Sequence, residues 1–231
     1  MSTLYVVGTP LGNLQDITFR AVEVLKSADI IVCEDTRHSL KLLNRFDIHK
    51  QLLSCHGYNE VRTAERVVKE LEDGKTAAYI TDAGTPGVSD PGALLVRRVR
   101  KSGHNVIPIP GPSAFASLVS VSGFTGRAIV FEGFLSPKAG RRRTRVTELL
   151  AFETPFVLYE SPFRVLKLLE ELAEQAPNRR VLVGREMTKI YEEYVEDTAK
   201  AVHAMLSSRK EIKGEFTILV AGGDDVDRES C

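Results

Sequence analysis

The sequence contains few cysteines and carries no net charge. Its 231 residues include three cysteines, Cys33, Cys55 and Cys231, an odd number at unrelated spacings. This pattern argues against a disulfide framework and is typical of a reducing compartment. No pair of closely spaced Cys or His residues is repeated, so the sequence predicts no metal site. Basic and acidic residues balance at 31 each, so any surface that attracts a polyanion must be local.

Long hydrophobic runs are also missing. The apolar stretches are only a few residues long, far below the length that crosses a bilayer, so no membrane-spanning segment is predicted. The first residues, MSTLYVVGTP, lack the basic region, apolar stretch and cleavage site of a secretory signal. A content of 43% hydrophobic and 27% charged residues is typical of a soluble globular protein. We therefore expect a cytoplasmic protein of one large or two small domains.

Strands and helices are predicted to alternate along the first half of the chain. Apolar runs predict strands at 4–8, 29–34, 75–81 and 104–111. Amphipathic periodicity predicts the helices that separate them, at 18–28, 59–74 and 92–103. Such a βαβ series indicates a largely parallel sheet.

The pattern changes between residues 114 and 126. Beyond this point the sequence predicts strands at 128–133, 155–161, 180–186, 190–197 and 215–222, a basic loop and helix after the first of them, and a helix at 163–176. The alternation in IYEEYVED predicts a half-exposed strand. We therefore predict an α/β fold of two α/β domains, 1–118 with a mostly parallel sheet and 119–231 with a mixed sheet. The end of the sequence, DDVDRESC, is typical of a loose tail.

Three predicted strands end in unusual loops. These are VGTPLGN (7–13), TDAGTPGVSDPG (81–92) and IPGPSA (109–114), all rich in glycine, proline and small side chains. In open α/β sheets, ligands bind beyond the carboxyl ends of the strands. Glycine lets a backbone approach a ligand closely, and proline stiffens the loop. Each loop alone could be a tight turn, but the three together favour one binding site.

The loops also limit the ligand. No G-x-x-x-x-G-K-[ST] occurs, and no G-x-G-x-x-G opens a helix with an acidic residue at the end of the next strand, so a phosphate-cradling loop is poorly supported. Glycine amides beside the carboxylate of Asp82 suit a ligand with an ammonium or hydroxyl groups, such as S-adenosylmethionine.

Seven motifs together resemble one family. They are LYVVGTPLGNLQDIT, CEDTRHS, TDAGTPGVSDPG, PGPSA, YESPFR, GREMTK and KGEFTILV. Their order and spacing, from residue 4 to about 221, resemble the ribosomal small-subunit RNA methyltransferase I family, one of the tetrapyrrole-methylase-like (class III) methyltransferases. The resemblance implies a homodimer of two α/β domains, with S-adenosylmethionine in a cleft between them. It also implies 2′-O-methylation of a cytidine in the decoding region of 16S ribosomal RNA, as naked RNA or within the small subunit.

Two other functions remain open at the level of sequence. A small-molecule methyltransferase of the same fold could act on a tetrapyrrole, and a non-catalytic RNA-binding protein could retain a degenerate cofactor cleft. CEDTRHS and YESPFR match the ribosomal branch and argue against the first alternative. The second is disfavoured because no bulky side chain replaces Gly84, Ser113 or Ala114.

The resemblance also implies which residues meet the cofactor. From the three loops these are Leu11, Asp82, Gly84, Thr85, Val88, Ser113 and Ala114. A looser alignment adds three residues of the second domain, Tyr159, Arg185 and Glu215. Leu11 and Val88 could instead pack in the core, and Asp82 could form a turn with its own backbone.

Methyl transfer from a sulfonium requires an oriented ribose 2′-oxygen, together with a base that takes its proton or a cation that stabilises the alkoxide. The candidates are Glu34 and Asp35 of CEDTR, Glu160 of YES, and Glu186 and Lys189 of GREMTK. Asp35 could instead cap a helix. Glu186 and Lys189 could form a structural ion pair.

A basic segment is the main candidate for RNA contact. GFLSPKAGRRRTR (133–145) contains cations and no acidic residue, namely Lys138, Arg141, Arg142, Arg143 and Arg145. Arginine suits phosphate, and Pro137 and Gly140 suggest a mobile arm; the alternative is a solvated helix start. Arg37, after the second strand, is a further candidate. Tyr58 and His56 of HGYN could stack on a base and make a polar contact, or be structural.

Overall fold

A computed structural model of the chain describes residues 1–124 and 126–223. The tail predicted at 224–231, with Cys231, lies outside the described residues. The chain divides into two compact units, Met1–Ser113 and a second unit that begins at Ala114. The domain bounds drawn from the sequence, 1–118 and 119–231, remain a prediction.

The first unit is a five-stranded parallel sheet flanked by helices, in the order β3-β2-β4-β1-β5. Its strands are β1 Thr3–Val7, β2 Ile30–Cys33, β3 Gln51–Ser54, β4 Ala77–Ile80 and β5 Asn105–Ile109. Its helices are α1 Phe19–Ser27, α2 Thr36–Arg45, α3 Glu60–Glu72 and α4 Ala93–Lys101, and a short 3₁₀ turn spans Leu14–Asp16. The parallel sheet and all seven elements predicted in this region are confirmed.

Strand β2 shows why the predicted strands of this unit read as continuous apolar runs. Ile30 and Val32 pack in one hydrophobic core, and Ile31 packs in the core on the other side of the sheet. Successive side chains of a strand point to opposite faces, so a strand covered on both faces is apolar throughout. The sequence prediction missed two elements of this unit, helix α2 and strand β3. Strand β3 has no continuous apolar run, because it is an edge strand that begins with an exposed Gln51.

The second unit is a mixed sheet in the order β6-β7-β10-β8-β9, in which β6 and β7 are parallel and the other neighbours are antiparallel. The strands are β6 Val130–Phe134, β7 Phe156–Glu160, β8 Arg180–Arg185, β9 Glu193–Thr198 and β10 Phe216–Val220. The helices are α5 Ala114–Ser120, α6 Ala139–Ala151, α7 Val165–Gln175 and α8 Ala199–Ser207. The predicted mixed sheet is confirmed, and α5 and α8 are additional.

The two faces of this second sheet have different coverings. On one face, which we call the helix-layer face, α6, α7 and α8 enclose the larger core around Leu158, Ile218 and Val183. On the other, the α5 face, Leu118 of α5 packs against Val157. Among the described residues, no helix has the length and apolar character needed to span a bilayer.

Candidate functional site

The loops that follow β4, β1 and β5 lie side by side, because these strands are neighbours in a parallel sheet. Thr9 and Gly84 exchange two backbone hydrogen bonds, with N···O distances of 2.8 and 3.1 Å. The Thr85 hydroxyl donates to the Pro112 carbonyl at 3.1 Å. We call residues 8–13, 81–92 and 110–113 the loop cluster. The prediction that the three loops converge is confirmed.

Glycine is required where these loops touch. A Cβ atom on Gly8 would lie 2.8 Å from the Gly111 Cα, closer than real Cβ contacts, so the first and third loops can meet only without side chains there. Gly84 has a φ of +78°, a conformation that other residues adopt with strain. A Cβ on Gly84 would lie 3.3 Å from the Leu11 Cδ2.

Two apolar side chains of the loop cluster lie outside the hydrophobic cores of the first unit. Leu11 and Val88 are half-buried, and neither is part of the two hydrophobic cores of the first unit. The alternative of core packing is therefore not supported for these two residues. Ser113, at the end of the third loop, is also half-buried, and Ala114 begins helix α5.

Asp82 connects the second loop with the segment after β2. Its Oδ1 accepts a hydrogen bond from the Asp35 backbone N–H at 3.3 Å, so the carboxylate bonds across strands rather than to its own turn. Asp35 in turn caps α2: its carboxylate accepts from the Arg37 backbone N–H at 2.8 Å and pairs with the Arg37 guanidinium at 3.0 Å. The hydrogen bonds from Arg37 lower the pKa of Asp35 to about 2. This geometry supports the alternative that Asp35 caps a helix. A carboxylate with so low a pKa is a weak base.

The strand ends of the second unit gather its candidate residues along one edge. Phe216, at the start of β10, lies opposite both Glu160 and Arg185, the last residues of β7 and β8. Cross-strand partners share a face of the sheet, and Phe216 belongs to the helix-layer core. Glu160 and Arg185 therefore lie on that face. Tyr159 lies on the α5 face, where its hydroxyl accepts from the Phe115 N–H at 3.0 Å.

Glu160 is a buried acid with one oxygen engaged. Its Oε1 pairs with Arg164 at 2.7 Å and accepts from the Ser161 N–H at 2.7 Å. Its Oε2 is buried and has no hydrogen-bond partner among the described residues. Arg185 is also engaged, donating to the Lys213 carbonyl at 2.6 Å and facing Glu193 at 3.4 Å. Both side chains thus have structural partners on the helix-layer face.

Glu186, Lys189 and Glu215 form one cluster. The Lys189 ammonium lies 3.0 Å from Glu186 and 2.9 Å from Glu215, and the Glu186 Oε1 also accepts from the Glu215 N–H at 2.9 Å. Burial alone would raise the pKa of Glu186 and lower that of Lys189, but these hydrogen bonds outweigh it, so the Glu186 pKa falls and the Lys189 pKa rises. Lys189 is thus a positively charged group fixed between two carboxylates. This geometry agrees with the alternative that Glu186 and Lys189 form a structural ion pair.

The loop that carries this cluster is strained. Glu186 and Thr188 have φ values of +49° and +67°, a region that costs non-glycine residues on the order of 1–3 kcal/mol. Gly214, across from Glu186, leaves no room for a Cβ beside the Glu186 side chain. Strain of this kind is common at functional sites.

Part of the basic segment is helical. Helix α6 begins at Ala139 and includes Gly140, so residues 139–145 form the helix start given above as the alternative to a mobile arm. Arg142 is buried, with its Nη2 2.7 Å from Glu171, and is therefore not available to RNA. Arg143 pairs with Glu174 at 2.6 Å, and Arg145 pairs with Glu132 and Glu148, each at 2.8 Å. Lys138 and Arg141 are exposed and lack such partners within the described part of the chain.

Arg37 and Tyr58 are prominent on the surface of the first unit. The Arg37 side chain is 90% exposed although it is paired with Asp35. Tyr58 is fully exposed, with its ring 6.2 Å from that of His56 in an edge-on arrangement. Their proposed roles in RNA contact remain predictions.

Comparison with known proteins identifies the family. Residues 3–203 match the family model described as Tetrapyrrole (Corrin/Porphyrin) Methylases. The chain belongs to this family. It is 47% identical to the ribosomal RNA small subunit methyltransferase I of Borrelia garinii subsp. bavariensis, over 94% of this chain and 98% of the relative. The protein of the same name from Neisseria meningitidis serogroup B is 41% identical, over 98% of this chain and 78% of the relative. The resemblance drawn from the motifs is confirmed.

Solved structures of this methylase fold agree with the architecture. Cobalt precorrin-4 methyltransferase matches with a TM-score of 0.68 at 17% identity, over 95% of this chain and 94% of that chain. Diphthine synthase matches with a TM-score of 0.71 at 12% identity, over 96% and 90%. At these identities the likeness establishes the fold alone.

Two acids of this methylase were missed by the sequence prediction. Burial, aided by the charge of Glu34, raises the pKa of Asp90 to about 6. The Glu60 Oε1 accepts from the backbone N–H groups of Gly92 and Leu94, each at 3.0 Å, where α4 begins. Asp90 had a sequence signal, a carboxylate between Ser89 and Pro91 in the second loop. Glu60 had none, because its partners lie 32 or more residues away.

Proposed function

We propose that this chain transfers the methyl group of S-adenosylmethionine to the ribose 2′-oxygen of a cytidine in the decoding region of 16S ribosomal RNA. The proposal is carried by the 47% identity, over 94% of the chain, with a protein named ribosomal RNA small subunit methyltransferase I. The contiguous loop cluster supports it, because an enzyme of this kind needs an intact cofactor site. We also propose that the protein acts as a homodimer in the cytoplasm.

The loop cluster fits the cofactor. The residues proposed to hold it are Leu11, Asp82, Gly84, Thr85, Val88, Ser113 and Ala114, with Tyr159, Arg185 and Glu215 as further candidates. Gly8 and Gly84 let the three loops pack together without side chains between them. The Asp82 carboxylate uses one oxygen for Asp35 and is only half-buried, which suits an ammonium. When bound, the cofactor supplies a methyl group already activated by the sulfonium.

The proton of the 2′-hydroxyl requires an acceptor with a pKa near neutrality. Asp35 and Glu186 have lowered pKa values, and Glu160 is buried on the helix-layer face, so each is poorly suited. The pKa of Asp90 is raised to about 6, and burial and the charge of Asp82 raise that of Glu34. We therefore place the acceptor role with Asp90 or Glu34. Lys189 remains the candidate cation for the developing alkoxide.

The decisive experiment offers labelled methyl donor to the purified protein with small ribosomal subunits that lack the modification. We expect one labelled nucleotide, a cytidine with the methyl group on its ribose 2′-oxygen. Label on a base, or on a different nucleotide, would overturn the proposed position. A parallel reaction with a tetrapyrrole substrate distinguishes the alternative enzyme: methylation of the tetrapyrrole with unlabelled subunits would favour that function.

Cofactor binding is tested separately by calorimetry. Asp82→Ala should abolish measurable S-adenosylmethionine binding while the chain stays folded, and Ser113→Phe should do the same by filling the third loop. Ser120→Ala, at the exposed end of α5, is the control. Unchanged affinity in Asp82→Ala would contradict the assignment of the loop cluster.

A further inference from the structure

The last two turns of α4 carry the sequence RRVRK. Its four cations, Arg97, Arg98, Arg100 and Lys101, are all exposed. The opposite side of the helix is buried through Leu95 and Val99. No acidic residue occurs from 93 to 104. We call these four residues the α4 cation patch.

The α4 cation patch is free of counter-charges. Within residues 1–124 and 126–223, no carboxylate lies within ion-pair distance of any of its members. Three of the four arginines of α6, namely Arg142, Arg143 and Arg145, are paired with glutamates instead. In a protein whose net charge is zero, an unpaired group of four adjacent cations is a local source of positive potential.

Helix stability does not explain the patch. A cation near a helix C-terminus gains about 0.3–1 kcal/mol from the helix dipole, and this gain falls off within the last turn. Arg98, Arg100 and Lys101 lie in the last turn of α4, but Arg97 lies before it. It also has like charges three and four positions ahead, at Arg100 and Lys101, and such pairs destabilise a helix. The arrangement favours an anionic partner over the helix itself.

We propose that the α4 cation patch binds the phosphate backbone of the RNA substrate. This inference rests on the proposed function. Helix α4 follows the second loop of the loop cluster directly, and Glu60 fixes its first turn. At about 1.5 Å per residue, the patch begins roughly 8 Å along the helix from Gly92 and ends at roughly 14 Å. A nucleic acid strand spans these distances of roughly 8 to 14 Å from Gly92 in about two to four nucleotides.

The test compares two triple variants in binding to unmodified small subunits and to naked 16S RNA. Arg97→Gln/Arg98→Gln/Arg100→Gln removes three charges from the patch at little cost in helix propensity. The matched control, Lys167→Gln/Lys200→Gln/Lys210→Gln, removes three exposed cations of the second unit that also lack ion-pair partners among the described residues. We expect at least about tenfold weaker binding for the patch variant, and a slope of log affinity against log salt reduced by about 2–3. S-adenosylmethionine affinity should be unchanged.

A third variant, with lysine at the three arginine positions, keeps the charge and should bind RNA like the wild type. Equal losses in the patch variant and the control would mean that net charge alone matters, and would overturn the patch. Wild-type binding by the patch variant would overturn it as well. If the wild-type protein binds S-adenosylmethionine but neither binds nor methylates ribosomal RNA, the proposed function is wrong. The proposed RNA-binding role of the α4 cation patch is then wrong as well.

Discussion

Helices α4 and α6 each carry a run of arginines, but they use the charges in opposite ways. In α6, Arg142 pairs with Glu171 and Arg143 with Glu174, both carboxylates of the neighbouring helix α7. In α4, no carboxylate approaches the exposed arginines in the described part of the chain. A basic run in a sequence therefore does not reveal free charge, because the partners that neutralise it come from distant segments.

The two helices are also held in place differently. Helix α6 is anchored through its side chains, with Arg142 making two hydrogen bonds to Glu171, at 3.0 and 2.7 Å. Helix α4 is anchored at its first turn, where Glu60 of α3 accepts from backbone N–H groups that have no partner within the helix. Its charged side chains are thus left free to bind another molecule.

The largest effect is expected for the buried ion pair of α6. Glu171→Ala leaves the Arg142 guanidinium buried without a counter-charge and should lower the free energy of unfolding by about 3–5 kcal/mol. Urea denaturation measures this loss. Glu174→Ala on the same helix removes an exposed partner, with about half of its side chain accessible, and should cost less than about 1 kcal/mol. Similar losses in the two variants would refute the anchoring role of Arg142.

The anchor of α4 should have a smaller effect. Glu60→Ala removes the acceptor for the first N–H groups of the helix and should cost about 1–2 kcal/mol, as for other lost caps. Because Gly92 also ends the loop cluster, S-adenosylmethionine affinity should fall in parallel. Glu60→Gln retains an oxygen acceptor and should recover part of both losses. Glu65→Ala, an exposed acid of the same helix, is the control; an equal effect there would exclude the capping role.

The sequence predicted the parts of this fold that depend on local pattern. Buried apolar strands and amphipathic helices carry their own periodicity, and the loops after β1, β4 and β5 were recognisable from glycine and proline. Their convergence was predictable because parallel strands end at one edge. Pairing between distant residues was not predictable: nothing near Arg142 in the sequence indicates Glu171.

The face on which a side chain lies was equally hard to predict. Tyr159 and Glu160 are adjacent in YESPFR, yet the pleat of β7 sends them to opposite sides of the sheet. A motif names both residues but does not say which one faces a ligand. The same limit applies to Asp90, whose raised pKa arises from burial in the folded loop.

Titration should reveal the surroundings of the Asp90 carboxyl, which lies shortly before α4. The pKa of Asp90 rises from 3.8 to about 6 on folding, so between these values the folded state binds a proton that the unfolded state has lost. Its contribution to stability is therefore present at about pH 4 and is lost as the pH rises through 6. Asp90→Asn should reduce this slope, measured by urea denaturation from pH 4 to 6.5. Glu34, whose pKa is also raised, should retain part of it. An unchanged slope in Asp90→Asn would contradict the raised pKa of this half-buried carboxyl.

The smallest effects should differ in sign between the two helices. Arg143→Gln on α6 removes an exposed ion pair and should destabilise the protein by less than about 1 kcal/mol. Arg97→Gln on α4 removes repulsion from Arg100 and Lys101 and should stabilise it by about 0.2–0.5 kcal/mol for each pair. Both changes should vanish in about 1 M salt, where the screening length is about 3 Å. Urea denaturation at low and high salt measures both. A loss of stability in Arg97→Gln would mean that Arg97 has a partner within the folded chain, and the positive charge of α4 would then not be free for RNA.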